Sequence, residues 1–465
     1  MRILFCCEFY YPSIGGVQEV MRHLAERLVS WGHEVTVATT KLSNRTFTEH
    51  NGVKIVEFGV TGNQVRGISG EVARYQDFVI NFPCDALMIK AAQQWTFDAL
   101  WPVLEQIKTR KVFIPCGFSG LYEPSYAQYF IDLPEVLKKF DHLIFYAEHY
   151  RDVDFARAHK LMHFSVLANG ACEKEFNVAV DASFRRRNAI AENSFVLLTV
   201  GSLTGVKGHR ELAEAFAKMN VPKGHHVTLI LNGNLPPRPD VKVEARRSHG
   251  VSPRDQVSRG SKLISYVTAK INRITGLLYR SVGVLRREGV SGVGQRIASL
   301  LLAPLWRLAL AHGFLKKASR SMEYWIDTAR RNPSKQVLLT DFARDELVQA
   351  YMAADLFVFA SNIEYSPLVL FEAAAAGTPF LSVPVGNADE IARWTGGGVI
   401  CPASKDERGY TRVDPLVLSG AVEDLMAKPE ELSKLGKTAK QTWSEKYTWF
   451  AIAKRYEQIL ANKLG

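Results

Sequence analysis

Two glutamates eight positions apart, Glu364 and Glu372, enclose the run Tyr365-Ser366-Pro367-Leu368-Val369-Leu370-Phe371. Ser366 and Pro367 suit a helix start, because proline is tolerated at the first helical position and serine can cap free amides. Leu368 to Ala376 then reads as a helix that Gly377 stops ahead of Thr378-Pro379. Its first N–H groups, at Leu368 and Val369, together with the helix dipole, make a site for an anion, and a diphosphate fits it. Glu364 on the preceding loop and Glu372 one and a half turns inside the helix place an acceptor on either side of that anion. Hydroxyls of a sugar and of a ribose are what such acceptors would hold. The plainer reading, a loop charge and a surface helix residue, suits a lone glutamate pair better than one beside a phosphate cradle and the run Ala373-Ala374-Ala375-Ala376-Gly377.

Two more loops carry the same kind of chemistry. Gly201-Ser202-Leu203-Thr204-Gly205-Val206-Lys207-Gly208-His209 joins a strand to a helix, with glycines that let backbone approach a phosphate and Lys207 to neutralise it. The spacing is not that of a Walker A loop, and no Ser or Thr follows the lysine. Ser13-Ile14-Gly15-Gly16-Val17 is also a strand-to-helix loop, and its paired glycines suit close approach to a phosphate or sugar without spelling the dinucleotide fingerprint. The bland alternative for each is a solvated turn.

The elements that must position these loops alternate along the chain. Residues 2–7 form a compact apolar run, and Val17, Val20, Leu24 and Leu28 recur at helical spacing up to Gly32. Val35 to Ala38 is the next strand. The same alternation returns at Phe195–Val200, His209–Met219 and Val227–Leu231, and further buried strands are expected at Val337–Leu339, Leu356–Phe359 and Phe380–Val383. Strand, loop, helix, strand units imply parallel sheets with crossover helices, so the fold class is α/β with two doubly wound, Rossmann-like halves. A polar stretch between Asn169 and Asn193 divides them. The expected domains are 1–175 and 190–440, with a last helical segment at 441–465.

A chain of 465 residues exceeds what one core organises, and 47% hydrophobic with 23% charged residues is an ordinary globular composition. The six cysteines show neither a zinc spacing nor a disulfide framework, which points to a reducing compartment. The apolar run at the amino terminus is stopped by Glu8, too short for a signal-peptide core, and Ile297–Ala311 is too short and too interrupted to cross a bilayer. The net charge of +11 is concentrated: Lys242 to Arg320 holds sixteen Lys or Arg against three acids, an excess larger than the net charge of the whole chain.

The order of these motifs resembles the GT-B fold, and specifically glycosyltransferase family four, over Met1 to about Asn234 and Ser334 to the carboxyl end. The resemblance implies a retaining transferase that moves a hexose from a nucleotide-diphosphate sugar to a lipid-linked or polysaccharide acceptor in cell-surface glycan synthesis. It assigns the sugar hydroxyls near the reacting carbon to Glu364 and the ribose to Glu372. Gly15, Gly16, Lys207 and the amides of Leu368 and Val369 would hold the diphosphate, with Gly201, Ser202, Ser366 and Pro367 completing the donor site and Glu364 and Lys207 as the catalytic pair. The leaving diphosphate itself takes the acceptor proton, so no dedicated base is required; no cofactor is expected, and the leaving group is expected to be stabilised without a metal ion. The final helix, around Tyr447-Thr448-Trp449-Phe450, would cross back onto the first domain. Two positions depart from the family pattern: Ser202 stands where an arginine is usual, and Cys116 where the first domain often offers a histidine. His142, His149, His159 and His163 are read as surface or satisfied histidines rather than replacements.

About 80 residues between Asn234 and Val337 exceed what such a fold needs, and 241–325 is expected to be a basic amphipathic helical insertion. Ile264, Val267, Ile271, Ile274 and Leu278 recur at helical spacing among Lys262, Lys270, Arg273 and Arg280, and Trp306 lies in a second apolar stretch. Three readings stay open: docking on an anionic membrane surface, a helical subdomain against the core or a partner, and a disordered excursion. No nucleic-acid-binding module accompanies the charge. The first reading places the protein in the cytoplasm, peripheral on the cytoplasmic face of the membrane. Rival functions are a GT-B sugar-nucleotide epimerase and a non-catalytic, sugar-nucleotide-binding subunit of a polysaccharide-assembly complex.

Overall fold

The structure, a computed structural model, describes residues 1–234 and 320–463. Its first half supplies the strands β1 (Arg2–Cys6), β2 (Glu34–Thr40), β3 (Glu49–His50) and β4 (Val53–Phe58), a hairpin of β5 (Val60–Asn63) and β6 (Gly67–Gly70), then β7 (Ala86–Lys90), β8 (Arg110–Ile114), β9 (His142–Phe145) and β10 (Phe164–Val166). They form a sheet in the order β10-β9-β8-β7-β1-β2-β4-β3, parallel except for the β3–β4 pair. The second half supplies β11 (Ser194–Val200), β12 (His226–Asn232), β13 (Lys335–Thr340), β14 (Leu356–Phe359), β15 (Phe380–Ser382) and β16 (Gly398–Ile400), parallel in the order β13-β12-β11-β14-β15-β16. Central strands are apolar on both faces because helices cover both faces; all five residues of β7 and all four of β14 are buried.

Each sheet starts from a central strand, grows to one side, then reverses. The reversal lies between β1 and β7 in the first sheet and between β11 and β14 in the second. Reversal splays the loops on the carboxyl edge apart and opens a crevice there. The Gly15-Gly16 loop follows β1 and Lys90 ends β7; the Lys207 loop follows β11 and the Glu364 loop follows β14. All four segments therefore sit where open α/β sheets bind ligands.

The helix Gly16–Ser30 follows β1 and buries Val20, Met21, Leu24, Ala25 and Leu28. Gly32 ends it in the left-handed conformation (φ 85°), where the amides of Gly32 and His33 return to the carbonyls of Val29 and Leu28. The helix Leu368–Ala376 closes the same way at Gly377 (φ 79°), with Thr378 N–H on the Ala373 carbonyl at 3.0 Å. The chain returns to the first lobe through the helix Trp449–Leu460, whose Thr448 hydroxyl caps the Ala451 amide. Trp449, Ile452, Tyr456 and Ile459 join the core of Ile3, Phe5, Met21 and Leu24, and Trp449 stacks on His23.

Met1–Leu235 and Met322–Gly465 make one compact unit. The expected basic helices around Ile264 and Trp306 lie outside the described residues. The second lobe resumes inside the expected insertion, with the helix Met322–Arg330 burying Trp325, Ile326 and Ala329. All six cysteines are free thiols. Among the described residues no helix is long and apolar enough to cross a membrane.

Candidate functional site

A cavity of about 500 Å³ lies between the carboxyl edges of the two sheets. From the first lobe it is lined by Gly15, Gly16, Lys90, Cys116 and Tyr146, and from the second by Gly201, Lys207, Glu364 to Val369 and Glu372. Ten of the eleven sequence-derived site residues thus meet in one place. Ser202 does not line this cavity; it lies in the loop between Gly201 and Lys207.

Gly15 is extended (φ 172°) and Gly16 is the first helical residue. A side chain on Gly16 would come within 3.9 Å of Leu368 Cδ1, so the glycine loop of one lobe faces the helix start of the other. Pro367, with φ −71° and ψ 117°, precedes the helix rather than opening it. That corrects the capping assignment: Ser366 stands one residue further out and caps nothing. Its hydroxyl is buried without a partner at the cavity wall. The first-turn amides of Leu368 and Val369 have no carbonyl one turn back within the helix to receive them, so they are available to a ligand.

Lys207 and Glu364 are bound to each other. Lys207 Nζ lies 2.5 Å from Glu364 Oε1, which also accepts the Ser361 hydroxyl at 3.0 Å. The lysine read as a phosphate contact is thus held against the carboxylate read as a sugar contact. Gly208 (φ 71°) packs on the Ala360 carbonyl, where a Cβ would come within 1.8 Å, and this close approach brings the two loops together. Glu372 is held from behind: Oε1 receives Arg344 Nη2 at 2.7 Å and Oε2 the Tyr351 hydroxyl at 3.0 Å. Arg344 also pairs with Glu175 at 2.6 Å, and these two carboxylates push its pKa up against the opposing effect of burial.

The first-lobe wall is built from residues the motifs did not mark. Lys90 is 1% exposed and gives one hydrogen bond, to the Tyr146 hydroxyl at 2.7 Å. Burial lowers its pKa to about 8. Cys116 beside it has φ 61°, and burial pushes its thiol up to about 11, so it is neither a base nor an anion at neutral pH. The sequence signal for Lys90 was a charge at the carboxyl end of the apolar run Ala86-Leu87-Met88-Ile89, at a position that becomes a switch point once strand order is known.

Tyr365 ties the walls together. Its hydroxyl accepts the Tyr146 amide at 2.9 Å and bonds the buried Asp152, whose pKa burial raises to about 6. Tyr150 donates to the Glu364 carbonyl at 2.8 Å, Asn169 to the Ser366 carbonyl, and Asn387 to the Tyr146 carbonyl. Glu390 accepts the amides of Glu148 and His149, both at 2.8 Å.

Two arrangements bear on metal binding. The Asp152-Val153-Asp154 run has the Asp-x-Asp spacing, but Asp152 is buried on the amides of Gly117 and Val153 while Asp154 is exposed and pairs with Arg157. His23, Cys172 and Glu175 come within 4.8 Å of one another, yet Arg27 reaches Cys172 and Arg344 reaches Glu175, so guanidinium groups crowd that cluster.

Residues 315–442 match the family model for glycosyl transferases group 1. The GPI3 subunit of phosphatidylinositol N-acetylglucosaminyltransferase from Saccharomyces cerevisiae is 36% identical over 55 residues, 11% of this chain and 12% of that protein. Glycogen synthase from Mycobacterium tuberculosis is 30% identical over 148 residues, 31% of this chain and 33% of that one. The chain therefore spans a third or less of the curated relatives it matches. Similarity to solved structures runs the whole length. Sucrose-phosphate synthase from Thermosynechococcus elongatus superposes with a TM-score of 0.63 at 18% identity, covering 99% of this chain and 98% of that one. The Anabaena protein HepE, in complex with UDP and glucose, gives 0.60 at 13%, covering 99% and 100%. WaaG, a glycosyltransferase of lipopolysaccharide biosynthesis, gives 0.56 at 15%, covering 98% and 99%.

Proposed function

From a chain with the GT-B fold of glycosyltransferases and a group 1 match over residues 315–442, we propose a retaining glycosyltransferase that moves a hexose from a nucleotide-diphosphate sugar to a lipid-linked or polysaccharide acceptor. The observation that carries this reading is the shared cavity, where a glycine loop, a helix amino end, a lysine and two oriented glutamates converge.

Each group has a task in that reaction. The amides of Leu368 and Val369, the backbone at Gly15-Gly16 and Lys207 stabilise the departing diphosphate, where charge grows as the sugar bond breaks. Glu364, fixed by Lys207 and Ser361, orients the sugar hydroxyls, and Glu372, fixed by Arg344 and Tyr351, accepts from the ribose. The acceptor hydroxyl attacks from the face the diphosphate leaves, and its proton passes to a diphosphate oxygen. No metal ion or cofactor is assigned a part. A lipid-linked acceptor agrees with the sixteen cationic residues of Lys242–Arg320, which suit an anionic membrane surface on the cytoplasmic side. Among the similar proteins, one is named for phosphatidylinositol and another for lipopolysaccharide synthesis.

A thermal-shift screen against UDP-, GDP- and dTDP-sugars tests the donor reading. A bound ligand at 100 times its dissociation constant stabilises by about 2.7 kcal/mol, and Lys207→Ala and Glu372→Ala should each lose that shift. No shift with any donor would overturn the reading. Retention is read from the anomeric configuration of the product, and membrane docking from flotation with anionic liposomes.

A further inference from the structure

The cavity wall contains a cation, Lys90, for which no ion pair is found among the described residues. Lys90 has three N–H donors; one meets the Tyr146 hydroxyl, and no acceptor for the other two is found among the described residues. Its other close neighbour is the Tyr146 ring, with Nζ 4.9 Å from the centroid. A buried ammonium without a carboxylate is costly, and buried charges are normally paired. The groups facing Lys90 from each surrounding element are Cys7 after β1, Cys116 after β8 and Tyr146 after β9; behind Tyr146 stand Tyr456 of the last helix and Tyr365 of the second lobe. Burial raises the pKa of every one of them, Cys116 to about 11 and Cys7 to about 12, so all are neutral at pH 8. Asp152, the nearby carboxylate, spends its oxygens on two amides and Tyr365. Among the described residues no carboxylate hydrogen-bonds to Lys90 or forms an ion pair with it, while the open side of the cluster is the cavity shared with Gly15, Gly16, Lys207 and Glu364.

We propose that Lys90 is a donor-binding residue on the first-lobe wall, whose ammonium takes an anionic oxygen of the nucleotide sugar, from its diphosphate or from a carboxylate on its sugar. The inference rests on the nucleotide-sugar reading above. It makes the site a two-sided clamp, with Lys207 on one lobe and Lys90 on the other, and it gives donor binding a proton-linked component. An anion beside Lys90 raises its pKa from about 8, so binding at pH 8 takes up a proton. The terminal phosphate of a nucleoside diphosphate, with a pKa near 6, is already ionised there and contributes nothing to the uptake.

The test is calorimetric titration of the wild type and Lys90→Met with UDP, GDP and dTDP, and with UDP-glucuronate, at pH 8 in two buffers of different ionisation enthalpy. Thermal melts of both proteins accompany it. Methionine keeps the volume and removes the charge, so the variant should melt no lower than the wild type. The wild type should take up about half a proton per ligand at pH 8 and lose affinity as the pH rises further, whereas Lys90→Met should do neither. Affinity should fall about tenfold or more, the ratio expected for one charge-assisted hydrogen bond. Weakening of both the nucleoside diphosphates and the glucuronate assigns the anion to the diphosphate; weakening of the glucuronate alone assigns it to the sugar carboxylate. If the variant binds every ligand as tightly as the wild type, with equal proton uptake, the Lys90 role is wrong and the donor reading survives. If the wild type binds none of them, the donor reading falls and this inference with it.

Discussion

The two walls of the cleft each offer a lysine, and the fold treats them oppositely. On the second-lobe wall Lys207 is partly exposed and satisfied by Glu364 at 2.5 Å. On the first-lobe wall Lys90 is buried among thiols and tyrosines at the cavity's edge, and among the described residues no carboxylate pairs with it. The paired lysine adds little strain to the empty protein, and a ligand must compete with Glu364 for it. On the role proposed for it, the unpaired lysine destabilises the empty protein and gains from an anion in the cavity. Stability and binding are thus coupled on one wall and separate on the other.

The sharpest way to break this contrast is at Glu364. Glu364→Gln removes the competitor for Lys207, so affinity for a nucleoside diphosphate should hold or rise while turnover falls about 100- to 1000-fold, the range for loss of an oriented group at the reacting centre. Parallel loss of affinity and turnover would show that the pair acts as one binding unit. The next effect belongs to the other wall. Lys90 titrates near pH 8 when folded and near 10.5 when unfolded, so the unfolded chain binds more protons between these values and stability rises with pH across that window. Lys90→Met should therefore be the more stable protein at pH 7 by as much as about 3 kcal/mol, with the difference closing towards pH 10.5 in denaturant melts. A gap that stays constant with pH would mean that packing, not charge, sets it. The smallest effect is at the residue joining the walls. Tyr365→Phe strips the partner from the buried Tyr146 amide and should cost about 1.5 kcal/mol in a chemical melt, without altering proton uptake at Lys90.

The parts of the molecule readable from sequence are those set by short-range pattern. The strands from Phe195, Leu356 and Phe380, the helix starting at Leu368 and the glycine stops at Gly32 and Gly377 all follow from periodicity and from positive φ. The GT-B architecture was legible because the motifs occur in a fixed order along alternating elements. What was not legible depends on approach between distant segments. The Lys207–Glu364 pair joins residues 157 positions apart, and Arg344 reaches Glu372 from a different helix. Ser366 reads as a cap because serine can cap the amides of a helix that opens at proline; the helix starts at Leu368 with Pro367 in the cap position, which leaves the Ser366 hydroxyl to the cavity. Lys90 was passed over because a lysine ending a strand is ordinarily solvated. Only the sheet order, with β7 beside β1 and β8, shows that this strand end is enclosed.

The backbone crosses between the lobes twice, near Ala171 and again near Thr448, and the two crossings lie side by side. The Ala171 amide donates to the Tyr447 carbonyl at 3.1 Å and the Trp449 amide to the Ala171 carbonyl at 3.2 Å, a parallel bridge one residue long. Gly170 permits it, since a Cβ there would stand 2.5 Å from the Tyr447 oxygen. The two crossings are thus fastened to each other rather than running as independent tethers. Pulling the lobes apart there would break the bridge and drag the helix Trp449–Leu460 from its bed on the first lobe. Glu390 adds a second tie between the same lobes through the amides of Glu148 and His149, so the bridge at Ala171 is backed by bonds at the far side of the cleft.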